Sequence, residues 1–225
     1  MNLDWSVVPG ALPYLAQGAL YTLLIAAVGL AGGCLIGFLA GMARAYGPFV
    51  MDRAARLYIG LIRGTPLVVQ VMFIYFALPI LLGVRINSLT AAIVSIVLNS
   101  GAYIAEIVRG ALLSISKGLT EAGLAMGLPF SRVLFYIVGP LAFRRMVPAL
   151  GNQCITSLKD TSLFIVIGVG ELTRHAQEII ADTYRAVEIW TTVAAIYLVI
   201  LTLMSYGLRT IERRMPIRQL VASVV

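Results

Sequence analysis

The chain has 225 residues, of which 60% are hydrophobic and only 12% are charged. Soluble globular domains carry roughly 25% charged residues, so this composition excludes an ordinary soluble protein and indicates an integral membrane protein. The mean hydropathy of +0.95 agrees. The net charge is +7, but the basic residues flank apolar segments instead of forming one patch, which argues against nucleic-acid binding. Because no repeat or linker divides the sequence, we expect a single domain over residues 1–225.

The predicted elements are long apolar helices. A helix needs roughly 20 apolar residues to cross the ~30 Å hydrocarbon core of a bilayer. Five segments meet this condition, the fourth of them interrupted by two charges: 5–43, 64–84, 86–105, 146–170 and 189–208. The sequence therefore predicts an all-α integral membrane protein with five transmembrane helices.

The charges between these segments predict an orientation. Segments 44–63, 109–145 and 209–218 have net charges of +3, +4 and +3, whereas segment 171–188 has a net charge of −2. Cytoplasmic loops collect Lys and Arg, so we expect the N-terminus outside and the C-terminus inside. Segment 171–188 would then be external, either as an amphipathic stretch that contacts a partner or as a solvated loop.

Glycine recurs every four residues along the first predicted span, at Gly29, Gly33, Gly37 and Gly41. Lipid does not drive apolar helices together, so small residues that allow close backbone approach are typical of helix contacts in membranes. The pattern predicts a packing face, with a pore-lining face as the alternative. The partner helix could belong to the same chain or to a second one.

Prolines mark the limits of the middle spans. Pro66, after Thr65, is expected to open the second span, because proline is tolerated in a first helical turn. Pro79 is expected to end that span, and Pro148 to begin the fourth.

The third span carries polar residues on one face. Asn99, Tyr103 and Glu106 follow i, i+4, i+7 spacing, which aligns them along a helix. These three are candidate substrate contacts.

The fourth span contains Lys159 and Asp160 between apolar flanks. A charged side chain at bilayer depth costs at least ~2.5–3.5 kcal/mol, so it faces a bundle interior or a water-filled path. An ammonium group and carboxylates suit a zwitterion, with Lys159 for an α-carboxylate and Asp160 or Glu106 for an α-ammonium. Ser162 and Gln70 are further candidates. A purely structural polar network is the alternative interpretation of all these residues.

The longest predicted inside loop, at 113–145, contains a recognisable spacing. Glu121-Ala122-Gly123 is followed by Gly127, Ile137 and Pro140. This resembles the EAA loop of ABC importer permeases, in which the loop couples the permease to its ATPase. Gly123 and Gly139 depart from the pattern, which has alanine and leucine there. We expect Thr120 to cap a short helix that begins at Glu121 and ends at Gly127-Leu128-Pro129.

Four further blocks resemble the permeases of polar amino acid uptake systems, and within them those that import glutamine. The blocks are Arg63-Gly64-Thr65-Pro66, residues 71–79, residues 99–107 and Lys159-Asp160-Thr161-Ser162-Leu163. The resemblance implies a type I ABC importer transmembrane domain in the bacterial inner membrane. It places Asn99, Glu106, Lys159 and Asp160 at positions that match substrate contacts, and Glu121, Ala122 and Gly127 at the ATPase-coupling loop.

The same resemblance implies a homodimer in membrane lipid, two cytoplasmic ATPase subunits and a periplasmic binding protein that delivers the amino acid. The sequence has no G-x-x-x-x-G-K-[ST] phosphate-binding loop, so ATP would be hydrolysed by a partner chain and no cofactor is expected here. Glutamine is the expected substrate, while glutamate, histidine and arginine stay open.

Two other function classes are weighed against this one. An ion-coupled secondary transporter could use Lys159, Asp160 and Glu106 as a proton relay, but such proteins usually show internal repeats and more spans. An intramembrane enzyme is the other alternative, and the absence of a histidine cluster or of paired carboxylates on one span argues against it.

Overall fold

Residues 3–214 are described by a computed structural model, and this part of the chain consists of eight helices joined by short turns. We number them in chain order: α1 (Val7–Tyr46), α2 (Phe49–Arg63), α3 (Leu67–Leu82), α4 (Ser88–Leu113), α5 (Lys117–Ala125), α6 (Phe130–Ile167), α7 (Leu172–Thr183) and α8 (Ala186–Arg214). Both α3 and α6 contain one π-helical turn, at Phe73–Ala77 and Leu134–Val138, and α6 ends in a 3-10 turn at Thr161–Ile167. The predicted all-α class is confirmed.

The number of spans depends on one bent pair. By length and composition, α1, α4, α6 and α8 can each cross a membrane, and a fifth crossing results if α2 and α3 together form one broken span. The axes of α2 and α3 differ by 101°. The second span predicted at 64–84 corresponds to α3, but α3 alone is only about 24 Å long at 1.5 Å per residue, so a complete crossing there includes α2 as well. Pro66 does precede the first residue of α3, as expected.

Close packing of α1 on α4 forms the centre of the fold. A Cβ atom on Gly37 would stand 2.6 Å from the Cβ of Ile104, and one on Gly41 would stand 2.6 Å from the Cβ of Val108. Both distances are far below van der Waals contact, so only glycine allows this approach. The glycine face is a packing face, and its partner lies within the same chain.

The fourth span is much longer than predicted. Helix α6 begins at Phe130, so Pro148 lies inside the helix instead of at its start. The connecting loop shrinks from 113–145 to residues 114–129. Arg144 and Arg145 were read as loop residues, but they lie on an exposed helix face, and Arg145 Nη1 donates a hydrogen bond to the Ser114 carbonyl oxygen at 2.6 Å. At about 57 Å, α6 is long enough to extend beyond the hydrocarbon core.

Two other expected helix limits were also wrong. The short helix α5 begins at Lys117 after Ser116, so Thr120 is not its cap and Glu121 is its fifth residue. Helix α3 continues through Pro79 to Leu82, and the residue that caps it is Gly83, whose φ of +67° favours glycine.

At the end of the bundle opposite the 114–129 loop, α7 packs against α1 and α8. Leu15, Leu172 and Ile189 are completely buried in this cluster. Segment 171–188 is therefore largely an amphipathic helix seated on the bundle and not a loop in solvent.

Candidate functional site

The site is built around the break between α2 and α3. Three residues, Gly64, Thr65 and Pro66, separate the two helices, and Pro66 cannot donate the hydrogen bond that would continue α2. The freed carbonyl groups at the end of α2 are instead bound by side chains. Thr65 Oγ1 donates to the Leu61 carbonyl oxygen at 2.9 Å, and Gln70 Nε2 donates to the carbonyl oxygens of Ile62 at 2.7 Å and Thr65 at 2.9 Å. Broken helices at membrane depth persist only where such partners exist.

Asn99 ties this break to α4. Its Nδ2 donates to Gln70 Oε1 at 3.2 Å, and both side chains are buried. One turn of α2 before the break, the Tyr58 hydroxyl donates to the Leu98 carbonyl oxygen at 2.6 Å. The break therefore lies beside residues 98–99, about 15–17 Å from the start of the ~39 Å helix α4, which is well inside the bundle. The structure brings two of the predicted site residues, Gln70 and Asn99, into direct contact.

Tyr103 and Glu106 continue along the same face of α4. Tyr103 is 38% exposed, and the guanidinium carbon of Arg63 lies 5.1 Å from the centre of its ring. Glu106 is half-buried and forms ion pairs with Arg109 at 2.8 Å and with Arg44 at 3.6 Å. The predicted alignment of Asn99, Tyr103 and Glu106 thus leads from the break towards the end of the bundle that carries the 114–129 loop, which we call the basic end.

A cluster of charges joins three helices at the basic end. Arg44 of α1 also pairs with Asp52 of α2 at 3.0 Å, and Asp52 pairs with Arg56 at 2.7 Å. The Nε atom of Arg44 is buried and has no hydrogen-bond partner within residues 3–214. Sequence reasoning missed Arg44, Asp52 and Arg56 because it assigned them to a loop. The only signal available was the i, i+4 spacing of Asp52 and Arg56, which suits a helical ion pair.

Lys159 and Asp160 lie on a different segment, directly before the 3-10 turn of α6. Lys159 is exposed and lines an open groove of about 340 Å³ between α6 and α8, whose other polar walls include Ser205 and Arg209. Asp160 is half-buried. Across the described part of the chain, neither side chain has a hydrogen bond or an ion pair within 4 Å, in agreement with the expectation that neighbours on a helix do not neutralise each other. The Ser162 hydroxyl donates to the Lys159 carbonyl oxygen at 2.8 Å.

The two irregular segments of the bundle touch each other. Phe164, in the 3-10 turn, is completely buried and packs in one cluster with Leu67 and Val71 of α3. Lys159 lies about 15 Å from the end of α6 and Asn99 about 17 Å from the start of α4, so both have a similar depth from the end opposite the basic end. The break and the Lys159–Asp160 pair are therefore neighbouring features, although no direct contact joins their polar groups in the described residues.

The 114–129 loop presents its candidate coupling residues outward. Glu121 and Ala122 are exposed on α5, whereas Gly123 is buried against α6. A Cβ atom at Gly123 would stand 2.8 Å from Val133 Cγ2, which explains why glycine replaces the alanine of the EAA pattern. Gly127 has a φ of +81° and ends the helix, as predicted. Because α5 rests directly on the start of α6, a force applied to α5 acts on α6.

At the opposite end, Glu171 is a buried carboxylate that caps α7. It accepts hydrogen bonds from the backbone N–H groups of Thr173 at 3.0 Å and Arg174 at 2.8 Å, and also from the Thr173 hydroxyl. Burial raises the pKa of Glu171 above its ordinary value, although these donors oppose the shift. The neighbouring His175 stacks on Tyr14 with ring centres 4.0 Å apart. These contacts fix α7 on α1 at a position that sequence reasoning did not single out.

The described part of the chain is thus a bundle of membrane-length helices that contains one broken span and has polar side chains buried inside it. Residues 33–216 match the family model of "Binding-protein-dependent transport system inner membrane component". The chain belongs to this family of inner-membrane components, and the resemblance seen in its sequence is confirmed.

Relatives and solved structures agree with that assignment. The chain is 58% identical to the glutamine transport system permease protein GlnP of Escherichia coli, over 96% of this chain and all of the relative. It is 35% identical to the arginine transport system permease protein ArtQ of Bacillus subtilis, over 96% of this chain and 98% of the relative. A crystal structure of an amino acid ABC transporter with histidines superposes with a TM-score of 0.89 at 33% identity, covering 95% of this chain and all of the other.

Proposed function

We propose that this chain is the permease subunit of an ATP-driven importer of glutamine. The observation that carries the proposal is the 58% identity to a glutamine permease over that protein's whole length. A family defined by dependence on a binding protein also leaves little basis for the alternative of an ion-coupled secondary transporter.

The proposed partners follow from this assignment. Two copies of the chain form a homodimer in the membrane, two ATPase subunits bind at the basic end, and a periplasmic binding protein docks at the opposite end. The basic end then faces the cytoplasm, the N-terminus lies outside and the C-terminus inside, in keeping with the excess of Lys and Arg in segments 44–63 and 109–145. This subunit needs no cofactor, because ATP is bound and hydrolysed by its partners.

Coupling is proposed to pass through α5. Glu121 and Ala122 are exposed for contact with an ATPase subunit, and Gly127 allows the sharp exit that returns the chain to α6. When the ATPase subunits close, the force on α5 is transmitted through Gly123 and Val133 to α6, which carries Lys159 and Asp160. The bundle then changes from inward-facing to outward-facing.

The amino acid is proposed to bind inside the bundle near the break. Asn99, Tyr103 and Glu106 line one face of α4, Gln70 lies beside Asn99, and the Lys159–Asp160–Ser162 segment supplies the remaining candidates. These seven residues offer amide, phenol, carboxylate, ammonium and hydroxyl groups, which together suit a zwitterion with a polar side chain. Their role in binding is a prediction.

Reconstitution tests the proposal. The permease is purified with its ATPase subunits and placed in proteoliposomes, and ATP hydrolysis is measured with the cognate binding protein and each of the common amino acids. We expect glutamine to give the largest stimulation. If no amino acid stimulates hydrolysis, the proposal is wrong; if arginine or histidine does so instead of glutamine, only the substrate assignment is wrong.

A further inference from the structure

Arg63 is the last residue of α2, at the break. The hydrogen bond from Tyr58 to Leu98 and the one from Asn99 to Gln70 fix this part of α2 at the middle of α4. The Arg63 side chain is exposed on the surface of the single subunit. A guanidinium group at this depth does not face hydrocarbon, because the cost is several kcal/mol. Arg63 must therefore face water or another polar surface inside the assembled transporter.

No carboxylate of the described chain forms an ion pair with Arg63. Both oxygens of Glu106 are engaged by Arg109 and Arg44, and both oxygens of Asp52 by Arg44 and Arg56. Arg63 lies close enough to Glu106 to interact with it electrostatically, but within residues 3–214 it forms no ion pair within 4 Å.

The surroundings of Arg63 have a net positive charge and a defined geometry. Four guanidinium groups, of Arg44, Arg56, Arg63 and Arg109, stand against two carboxylates, those of Asp52 and Glu106. That list leaves an excess of two positive charges in the region between the break and the basic end. The Tyr103 ring, 5.1 Å from the guanidinium carbon, supports the plane of Arg63 by a cation–π contact. A guanidinium group held in this way keeps its N–H donors free for a carboxylate, which it can bind with two parallel hydrogen bonds.

We propose that Arg63 binds the α-carboxylate of the transported amino acid at the break between α2 and α3. This inference rests on the proposed function and deepens it, since it names the recognised group and the substrate class. The excess positive charge favours amino acids that are neutral or anionic overall and opposes those with a cationic side chain. Binding of the carboxylate by Arg63 is an alternative to its binding by Lys159, which lines the groove between α6 and α8.

Equilibrium binding to the purified permease–ATPase complex, without binding protein, distinguishes the two assignments. The probes are radiolabelled glutamine and, as competitor, glutaminamide, which has an amide in place of the carboxylate. Wild type should prefer glutamine. Arg63→Gln should lower the affinity for glutamine roughly 10- to 100-fold, the range expected for a lost charge-assisted pair, and should abolish the preference over glutaminamide. Arg63→Lys keeps the positive charge but cannot form the two parallel hydrogen bonds, so it should lower the affinity for glutamine several-fold.

Arg53→Gln is the matched control. Arg53 is also an exposed arginine of α2, but it lies near the start of the helix and packs over Phe49 at 5.0 Å. We expect this variant to bind glutamine like wild type. Assembly with the ATPase subunits and basal ATP hydrolysis should also be unchanged in Arg53→Gln, so a loss of glutamine binding in the assembled Arg63→Lys complex reports on binding and not on the general effect of an altered arginine in α2.

The outcomes that overturn the inference are specific. If Arg63→Gln or Arg63→Lys binds glutamine within two-fold of wild type, Arg63 does not hold the carboxylate. If Lys159→Gln alone abolishes the preference for glutamine over glutaminamide, the carboxylate is bound by Lys159. If Arg63→Gln does not assemble, Arg63→Lys decides by the same criterion. Failure of the proposed function looks different, because the wild-type complex itself would then show no stimulation by any amino acid.

Discussion

The contact between α1 and α4 can be tested by adding a single methyl group. In Gly37→Ala, the new Cβ would stand 2.6 Å from the Cβ of Ile104 and 2.8 Å from the carbonyl oxygen of Gly101. The second neighbour is backbone and cannot rotate away, so the helices must move apart by several tenths of an ångström or more. Overpacking of this kind costs about 1–3 kcal/mol. For a protein of this size, each 1 kcal/mol lowers Tm by about 2–4 °C, so the expected decrease is about 2–12 °C.

The assay is thermal unfolding of the purified protein in detergent, followed by size-exclusion chromatography. Gly10→Ala is the matched control, because Gly10 lies in the same helix and a Cβ there would meet nothing within 4 Å. That variant should unfold at the wild-type temperature or slightly above it, since alanine favours the helix by up to ~1 kcal/mol. A Gly37→Ala protein as stable as Gly10→Ala would refute the close packing of α1 on α4.

Three further predictions concern the polar groups. Gln70→Leu should destabilise the protein by about 1–3 kcal/mol in the same unfolding assay, because the carbonyl groups at the break lose their donor. Asn99→Leu should be less destabilising. A Gln70→Leu protein as stable as wild type would argue against the broken span. Glu106→Gln should lower Tm more than Glu178→Gln. Glu106 is half-buried between two arginines, whereas Glu178 forms an exposed pair with a typical contribution of ~0–1 kcal/mol. The reverse order would contradict a stabilising role for the charge cluster at the basic end. The pKa of Glu171 is raised in the folded state, so the contribution of this group to stability is full below its ordinary pKa of 4.5 and is lost as pH rises through the folded value. The Tm of wild type should therefore increase relative to that of Glu171→Gln between pH 7 and pH 5. A difference in Tm that does not change with pH would contradict the shift.

Much of the fold could be predicted from hydropathy and small-residue spacing, because these report directly on burial in lipid and on close helix contacts. The lengths of the helices could not. Arg53, Arg56, Arg144 and Arg145 were read as loop residues, yet they occupy exposed faces of α2 and α6. A charged residue marks the end of a hydrophobic stretch. It does not mark the end of the helix where that helix continues past the hydrocarbon core or lines a polar path.

The candidate site was predictable only where its residues share one helix. The i, i+4, i+7 spacing of Asn99, Tyr103 and Glu106 placed them on one face of α4, and the structure keeps them there. The pairing of Gln70 with Asn99 depends on the 101° bend between α2 and α3, which no local pattern specifies. The ion pair between Arg44 and Glu106 likewise joins two helices, and their approach is set by the glycine face of α1.

Uptake of radiolabelled glutamine shows whether the chain works as the permease of an ATP-driven importer. Proteoliposomes carry the permease and its ATPase subunits, with ATP inside and the binding protein outside. If the chain is the permease of an ATP-driven importer, glutamine is taken up against its gradient only when both ATP and the binding protein are present, and uptake continues when a protonophore abolishes the proton gradient. Uptake that is driven by a proton gradient without ATP, or the absence of glutamine uptake when both partners are present, would contradict this function.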